Sequence, residues 1–177
     1  MLTLLWFSRD LRLSDNPALA AAVARGGPIV PFFLLDDLDA GEWSPGGAAR
    51  WWLHGSLRAL NDSLRQRGNR LVLRHGSAEI VINQLLDETR ANAVYWNRRY
   101  EPWATIRAER LKATLRDRGI EVRSFNSALI REPWTVATQK GEPYRVFTPF
   151  WKALRATGVS EPATPAPPKI PGPDTAP

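Results

Sequence analysis

The chain has 177 residues, 44% hydrophobic and 24% charged, with no cysteine; this reads as one soluble globular domain with room for a tail and excludes a disulfide framework, a thiolate zinc site and a cysteine nucleophile. No run reaches the roughly 20 apolar residues of a membrane-spanning helix, and Met1–Trp6 lacks a basic leader and meets Arg9 and Asp10 too soon for a secretory signal, which leaves a cytoplasmic location as the default expectation. The net charge of +6 is carried by 20 arginines against four lysines; such a balance suits phosphates, carboxylates or nucleic acid, but the charges are dispersed, and solvated helix faces account for them equally well.

Leu2–Phe7 is a short apolar run and reads as a buried strand. Asp15-Asn16-Pro17 caps and starts a helix that runs through alanines to Arg25 and stops at Gly26-Gly27. Ile29–Leu35 is a second apolar run, ending in Asp36 and Asp37. From Ala48 to Gln66 the spacing is helical, with Trp52, Leu53, Leu57, Leu60 and Leu64 on one side and Gly68 as the stop. A third strand lies within Arg70–Arg74. Ser77 is placed to cap a helix with Ile80, Val81, Leu85 and Leu86 inward. Ala93–Trp96 is a fourth strand, and Pro102–Arg118 a helix with Ile106, Leu111 and Leu115 as its stripe. Ile120–Phe125 is a fifth strand.

This alternation predicts an α/β fold, a doubly wound five-stranded parallel sheet with strand order 3-2-1-4-5 and helices on both faces. Residues 1–131 form that domain. Residues 132–160 form an extension with turns, a small hairpin and a last short helix over Thr148–Ala156. Residues 161–177 hold seven prolines, which admit neither helix nor central strand and predict a semi-stiff linker toward a further domain.

No G-x-G-x-x-G follows the first strand, and no phosphate-cradling loop or H-E-x-x-H motif is present. His54 and His75 lack metal-ligand spacing, so no metal site is expected, and no catalytic constellation can be named. A binding site can be. Open parallel sheets bind ligands past the carboxyl ends of their strands, near the switch in strand order. There the chain places Ser8, Arg9 and Asp10, then Asp36 and Asp37, then Asn97 to Glu101. Arginines alternating with carboxylates can equally be a salt-bridge lattice that closes the loops, above all at Arg9, Asp10 and Arg12. Eight tryptophans are an excess, and Phe33, Trp43, Trp51 and Trp96 are available as walls for a planar guest.

Four segments carry a resemblance. They are Trp6-Phe7-Ser8-Arg9-Asp10-Leu11-Arg12-Leu13-Ser14-Asp15-Asn16-Pro17-Ala18-Leu19, Ala49-Arg50-Trp51-Trp52-Leu53-His54-Gly55-Ser56-Leu57, Val94-Tyr95-Trp96-Asn97-Arg98-Arg99-Tyr100-Glu101-Pro102 and Tyr144-Arg145-Val146-Phe147-Thr148-Pro149-Phe150-Trp151-Lys152. In that order and spacing the chain resembles the N-terminal α/β domain of the DNA photolyase/cryptochrome family. The resemblance implies a light-harvesting role, in which an antenna pigment passes excitation to FAD in a helical domain that this chain lacks; damaged DNA is met through that domain. It implies no catalytic residue here. The pigment is a deazaflavin (8-hydroxy-deazaflavin) or methenyltetrahydrofolate. For the first, the matching positions are Arg9, Phe33, Asp36, Arg50 and Glu101, with Arg99 a departure from the acidic residue of some deazaflavin binders. For the second, Trp43 and Trp51 are candidate stacking faces and Glu101 a polar contact. A blue-light photoreceptor of cryptochrome type and a basic α/β nucleic-acid-binding module are the alternatives.

Overall fold

The computed structural model describes residues 1–36, 41, 44–158 and 162–174. Two compact units emerge, Met1–Ser127 with the segment from Thr164 onward, and Ala128–Ala163. The first holds the sheet: β1 (Thr3–Phe7), α1 (Pro17–Arg25), β2 (Ile29–Leu35), α2 (Gly47–Arg65), β3 (Val72–His75), α3 (Ala78–Thr89), β4 (Ala93–Asn97), α4 (Pro102–Asp117) and β5 (Glu121–Phe125). All pairings are parallel and the order is β3-β2-β1-β4-β5, as the alternation of apolar runs and amphipathic segments predicts.

Side chains along a strand alternate between faces, so each face has its own core. Leu4, Trp6, Val30, Phe32, Val94 and Trp96 pack against Val81, Ile82 and Leu85 of α3 and Leu111 and Leu115 of α4. Leu5, Phe7, Ile29, Ala93 and Tyr95 pack against Ala18, Leu19 and Ala22 of α1 and Leu60 and Leu64 of α2. Each fully buried leucine or isoleucine stabilises the fold by roughly 1.5–3 kcal/mol. Asn16 caps α1, its Oδ1 accepting from the Leu19 amide at 3.0 Å, and Pro17 follows.

Several local expectations are corrected. Ile80 and Ile106 are largely exposed. The inward stripe of α3 is Ala78, Val81, Ile82, Leu85 and Leu86, and that of α4 is Ala104, Leu111 and Leu115; Ile80 and Ile106 sit on neither. Ser77 occupies the start of α3 without a side-chain cap bond. Trp52 is also exposed, because only the C-terminal half of α2 lies on the sheet. β3 is an edge strand of four residues, and its Leu73 faces outward.

The proline-rich segment is extended, as its composition requires, and from Thr164 to Pro171 it is fastened to the sheet unit. Thr164 O accepts from the Asp15 amide at 2.7 Å, and the Ile170 amide donates to Arg67 O at 2.9 Å. β3 begins opposite Phe32, which leaves the start of β2 without that neighbour. There Pro171 O accepts from the Ile29 amide at 2.7 Å, and the Asn69 side-chain amide donates to Ile29 O at 2.9 Å. Ile170 is wholly buried in the α1/α2 core.

In the second unit a turn closed by Thr138, Gly141 and Glu142 takes the place of the expected hairpin. A 3-10 turn spans Pro133–Thr135, and α5 (Phe147–Ala156) stacks Phe147 on Trp151 with centroids 6.1 Å apart. No helix among the described residues is long and apolar enough to cross a membrane.

Because Ile170 fills core space that no helix fills, Ile170→Ala is expected to destabilise the sheet unit by about 2–5 kcal/mol, measured as a lowered midpoint of urea unfolding; an unchanged midpoint would show that the segment is held only by its backbone.

Candidate functional site

The crevice at the switch point between β1 and β4 is filled by the protein itself. Asn97, the last residue of β4, is 3% exposed. Its Nδ2 donates to the Asp10 carboxylate and to Asn16 Oδ1, and its Oδ1 accepts from the Ala18 amide. Asp10 Oδ1 also accepts from the Ser8 amide at 3.1 Å and the Ser8 hydroxyl at 3.3 Å. The Arg12 guanidinium donates to Asp15 O and Ser127 O, each at 2.8 Å. Asp10 and Arg12 thus knot the loop after β1, Asp10 through neutral donors and Arg12 mainly through carbonyls with Asp15 Oδ2 at 3.6 Å, so the arginine–carboxylate lattice expected there is met only in part.

A cavity of about 810 Å³ opens instead over the carboxyl ends of β1 and β2. Its apolar lining includes Phe33 and Leu34 from β2, Trp52 and Leu53 from α2, and Trp103 from α4. Its polar lining comes from Arg9, Asp10 and Arg12 after β1, Asp36 after β2, and Arg99 and Arg107. The α2 contributors Ala49, Trp52, Leu53 and Ser56 follow helical spacing, so the stripe that buries Leu60 and Leu64 continues into the cavity wall.

The rim is electrostatically tied. Glu101 accepts from Arg99 at 2.8 Å and pairs with Arg9 at 3.1 Å. The Arg99 hydrogen bond is the main cause, with Arg9 assisting, that lowers the Glu101 carboxyl to a pKa of about 2 against the work of burial. Deeper, Arg107 Nη1 donates to Asp36 Oδ2 at 2.7 Å, with both side chains largely buried. The Arg107 guanidinium lies 4.9 Å from the Trp6 ring and 5.0 Å from Trp103, and Arg99 lies 4.5 Å from Trp103.

Of the residues expected from sequence, Arg9, Phe33, Asp36 and Arg99 line this cavity. Glu101 stands behind the rim and holds two of its arginines. Arg50 lies outside the lining, and its Nε donates to Pro45 O at 2.9 Å, ahead of α2. Trp51 is 76% exposed and also outside the lining; its neighbour Trp52, one helical step away, occupies the wall. Trp43 falls outside the described residues. Sequence reasoning missed Trp6, Trp103 and Arg107 as wall residues. The four-residue spacing of Trp103 and Arg107 was a usable signal, since it sets ring and cation on one face of α4; Arg99 reaches the same ring from the loop before the helix.

The donor set suits a planar heterocycle with polar edges. Flat apolar walls face guanidinium donors and carboxylate acceptors. Among those residues no group of His, Asp and Glu could hold a metal ion.

The family model for DNA photolyase matches residues 3–170. The deoxyribodipyrimidine photo-lyase of Agrobacterium fabrum is 51% identical over 94% of this chain and 34% of its own length. Cryptochrome-1 of Arabidopsis thaliana is 38% identical over 96% of this chain and 24% of its own. The chain therefore spans about a third or less of these relatives. Among solved structures, a bacterial class III photolyase from Agrobacterium tumefaciens superposes with a TM-score of 0.89 at 46% identity, covering 99% of this chain and 36% of that one. An archaeal photolyase from Sulfolobus tokodaii, described with two FAD molecules and a novel light-harvesting cofactor, gives 0.74 at 25% identity, covering 97% of this chain and 37% of that one.

The lowered Glu101 pKa has a signed consequence. Its contribution to stability is complete above the unfolded carboxyl value of 4.5 and is lost as pH falls toward about 2. Wild type and Glu101→Gln should therefore differ in Tm by a constant amount above roughly pH 5 and converge below it; curves that run parallel down to pH 2 would disprove the Arg99–Glu101–Arg9 coupling.

Proposed function

The chain belongs to the DNA photolyase family, and on that premise we propose that it is the light-harvesting unit of a photolyase, holding an antenna pigment over the ends of β1 and β2. The observation that carries the proposal is the cavity of about 810 Å³, walled by Phe33, Trp52 and Trp103 and rimmed by arginines and carboxylates. When bound, the pigment supplies light absorption and passes the excitation by dipolar coupling to FAD held elsewhere in the protein. The chain's own residues orient and shelter it. Phe33 and Trp52 supply ring faces; Arg9 and Arg99, restrained by Glu101, offer guanidinium donors at the rim; Asp36, restrained by Arg107, offers a carboxylate oxygen. The two candidate pigments, methenyltetrahydrofolate and 8-hydroxy-deazaflavin, both present a planar ring with polar edges to such a set. A light-harvesting cofactor in the Sulfolobus photolyase supports the reading.

The partners follow from the same proposal: an FAD-binding helical domain as acceptor of the excitation, and damaged DNA engaged through that domain in light-driven repair. A second reading, a photoreceptor of cryptochrome type, draws on the likeness to the Arabidopsis cryptochrome and would use the cavity in the same way. Direct nucleic-acid binding has less support, because the arginines described above are engaged with carboxylates, carbonyls or rings around a cavity and do not form a groove-reading helix face.

The test is titration of the chain with methenyltetrahydrofolate and, separately, 8-hydroxy-deazaflavin, read as pigment absorbance and fluorescence beyond the tryptophan band. One pigment is expected to bind with a shifted spectrum. Phe33→Ala and Trp52→Ala should each weaken it about tenfold, the equivalent of roughly 1.4 kcal/mol. No spectral change with either pigment would sink the proposal.

A further inference from the structure

Among the described residues three tryptophans, Trp6, Trp52 and Trp103, line the cavity. That is a hazard for a pigment whose task is to keep its excitation, because indole is the most readily oxidised ring among the side chains. An excited pigment in contact with Trp103 can take one electron from it. The indole becomes a radical cation and the pigment gains the electron; no proton moves, and recombination returns both to their ground states with the excitation lost as heat.

The structure places cations against that step. Arg99 and Arg107 lie 4.5 and 5.0 Å from the Trp103 ring centroid, and Arg107 also lies 4.9 Å from Trp6. A guanidinium over a neutral ring is attracted by the ring's negative face. The same guanidinium repels the positive charge left when an electron departs, and the repulsion is strong where water is scarce. Both effects favour the neutral ring. Side-chain exposures of 19% for Arg99 and 14% for Arg107 limit the screening. Asp36 and Glu101 grip the guanidinium edges and hold each cation in place, while offsetting part of its field.

Resting on the antenna reading, we infer that Arg99 and Arg107 protect the excited pigment by making Trp103 and Trp6 harder to oxidise. In this role both arginines act through the tryptophans; Arg107 is a positioning residue, and Arg99 adds the effect to its donor role at the rim.

The experiment uses the full chain and two readouts. The first is the fluorescence lifetime of bound 8-hydroxy-deazaflavin. Arg107→Met combined with Asp36→Asn, which removes the pair without stranding a buried charge, is expected to shorten the lifetime at least roughly twofold. Trp103→Phe and Trp6→Phe in that background should restore it, and Arg107→Lys should retain the wild-type value. The second readout needs no pigment: one-electron oxidation by photogenerated tris(bipyridine)ruthenium(III), read as tryptophan radical absorbance. The share removed by Trp103→Phe should be larger in the Arg107→Met/Asp36→Asn chain than in wild type. A lifetime that shortens without rescue by the phenylalanines, or an unchanged Trp103 share of oxidation, overturns the inference. Failure of the pigment to bind wild type overturns the antenna proposal, and the ruthenium measurement still decides this one.

Discussion

Asn97 has two amide hydrogens and one amide oxygen, and at the end of β4 all are committed. The hydrogens go to Asp10 and Asn16, and the oxygen to the Ala18 amide. Buried as it is, any of these bonds left unmade would cost about 1–3 kcal/mol. The arrangement ties the β1–α1 loop and the start of α1 to the neighbouring strand. That loop supplies Ser8, Arg9, Asp10, Leu11 and Arg12 to the cavity, so the rim inherits its shape from a hydrogen-bond knot beneath it. The knot also occupies the switch-point crevice, and the space left for a guest lies over β1 and β2.

The cavity's chemistry follows from how its charges are paired. Burying an ion pair gains little net stability when desolvation is counted, whereas removing one partner strands a charge. Asp36 with Arg107, and Glu101 with Arg99 and Arg9, are therefore better understood as devices that fix geometry. Each pair links an element after one strand to α4 or to the loop before it. The guanidiniums so fixed lie against Trp103 and Trp6, which couples the placement of charge to the electronic character of the walls.

The proline-rich segment shows the same economy. Prolines cannot donate but every residue can accept, and Thr164, Pro167 and Pro171 offer their carbonyls to Asp15, Arg67 and Ile29. The Asp15 contact falls in the loop that shapes the rim. The segment thereby covers the α1/α2 core, completes the start of β2 where β3 is too short to reach, and braces the site loop from below.

The sequence alone determined the sheet, its order and its two-sided covering, because each strand is a short apolar run and each helix carries a stripe at helical spacing. Phe33, Asp36, Arg9 and Arg99 were legible as residues at the ends of strands; that Asp10 and Arg12 close their loop was legible too, but not that Asp10 does so through Asn97 and Ser8 and no arginine. That the stripe of Trp52, Leu60 and Leu64 runs on past the sheet into a cavity wall was not legible. Trp51 and Trp52 are adjacent in sequence, and only the seating of Leu60 and Leu64 on the sheet sets the rotation that puts Trp52 in the wall and leaves Trp51 outside. Nor could a local pattern show that a proline-rich stretch places Ile170 in the core, or that Arg107, 71 residues from Asp36, closes a buried pair between two tryptophans. Such contacts join elements far apart in the chain, and only the folded sheet, by fixing the distances between them, decides which side chains meet.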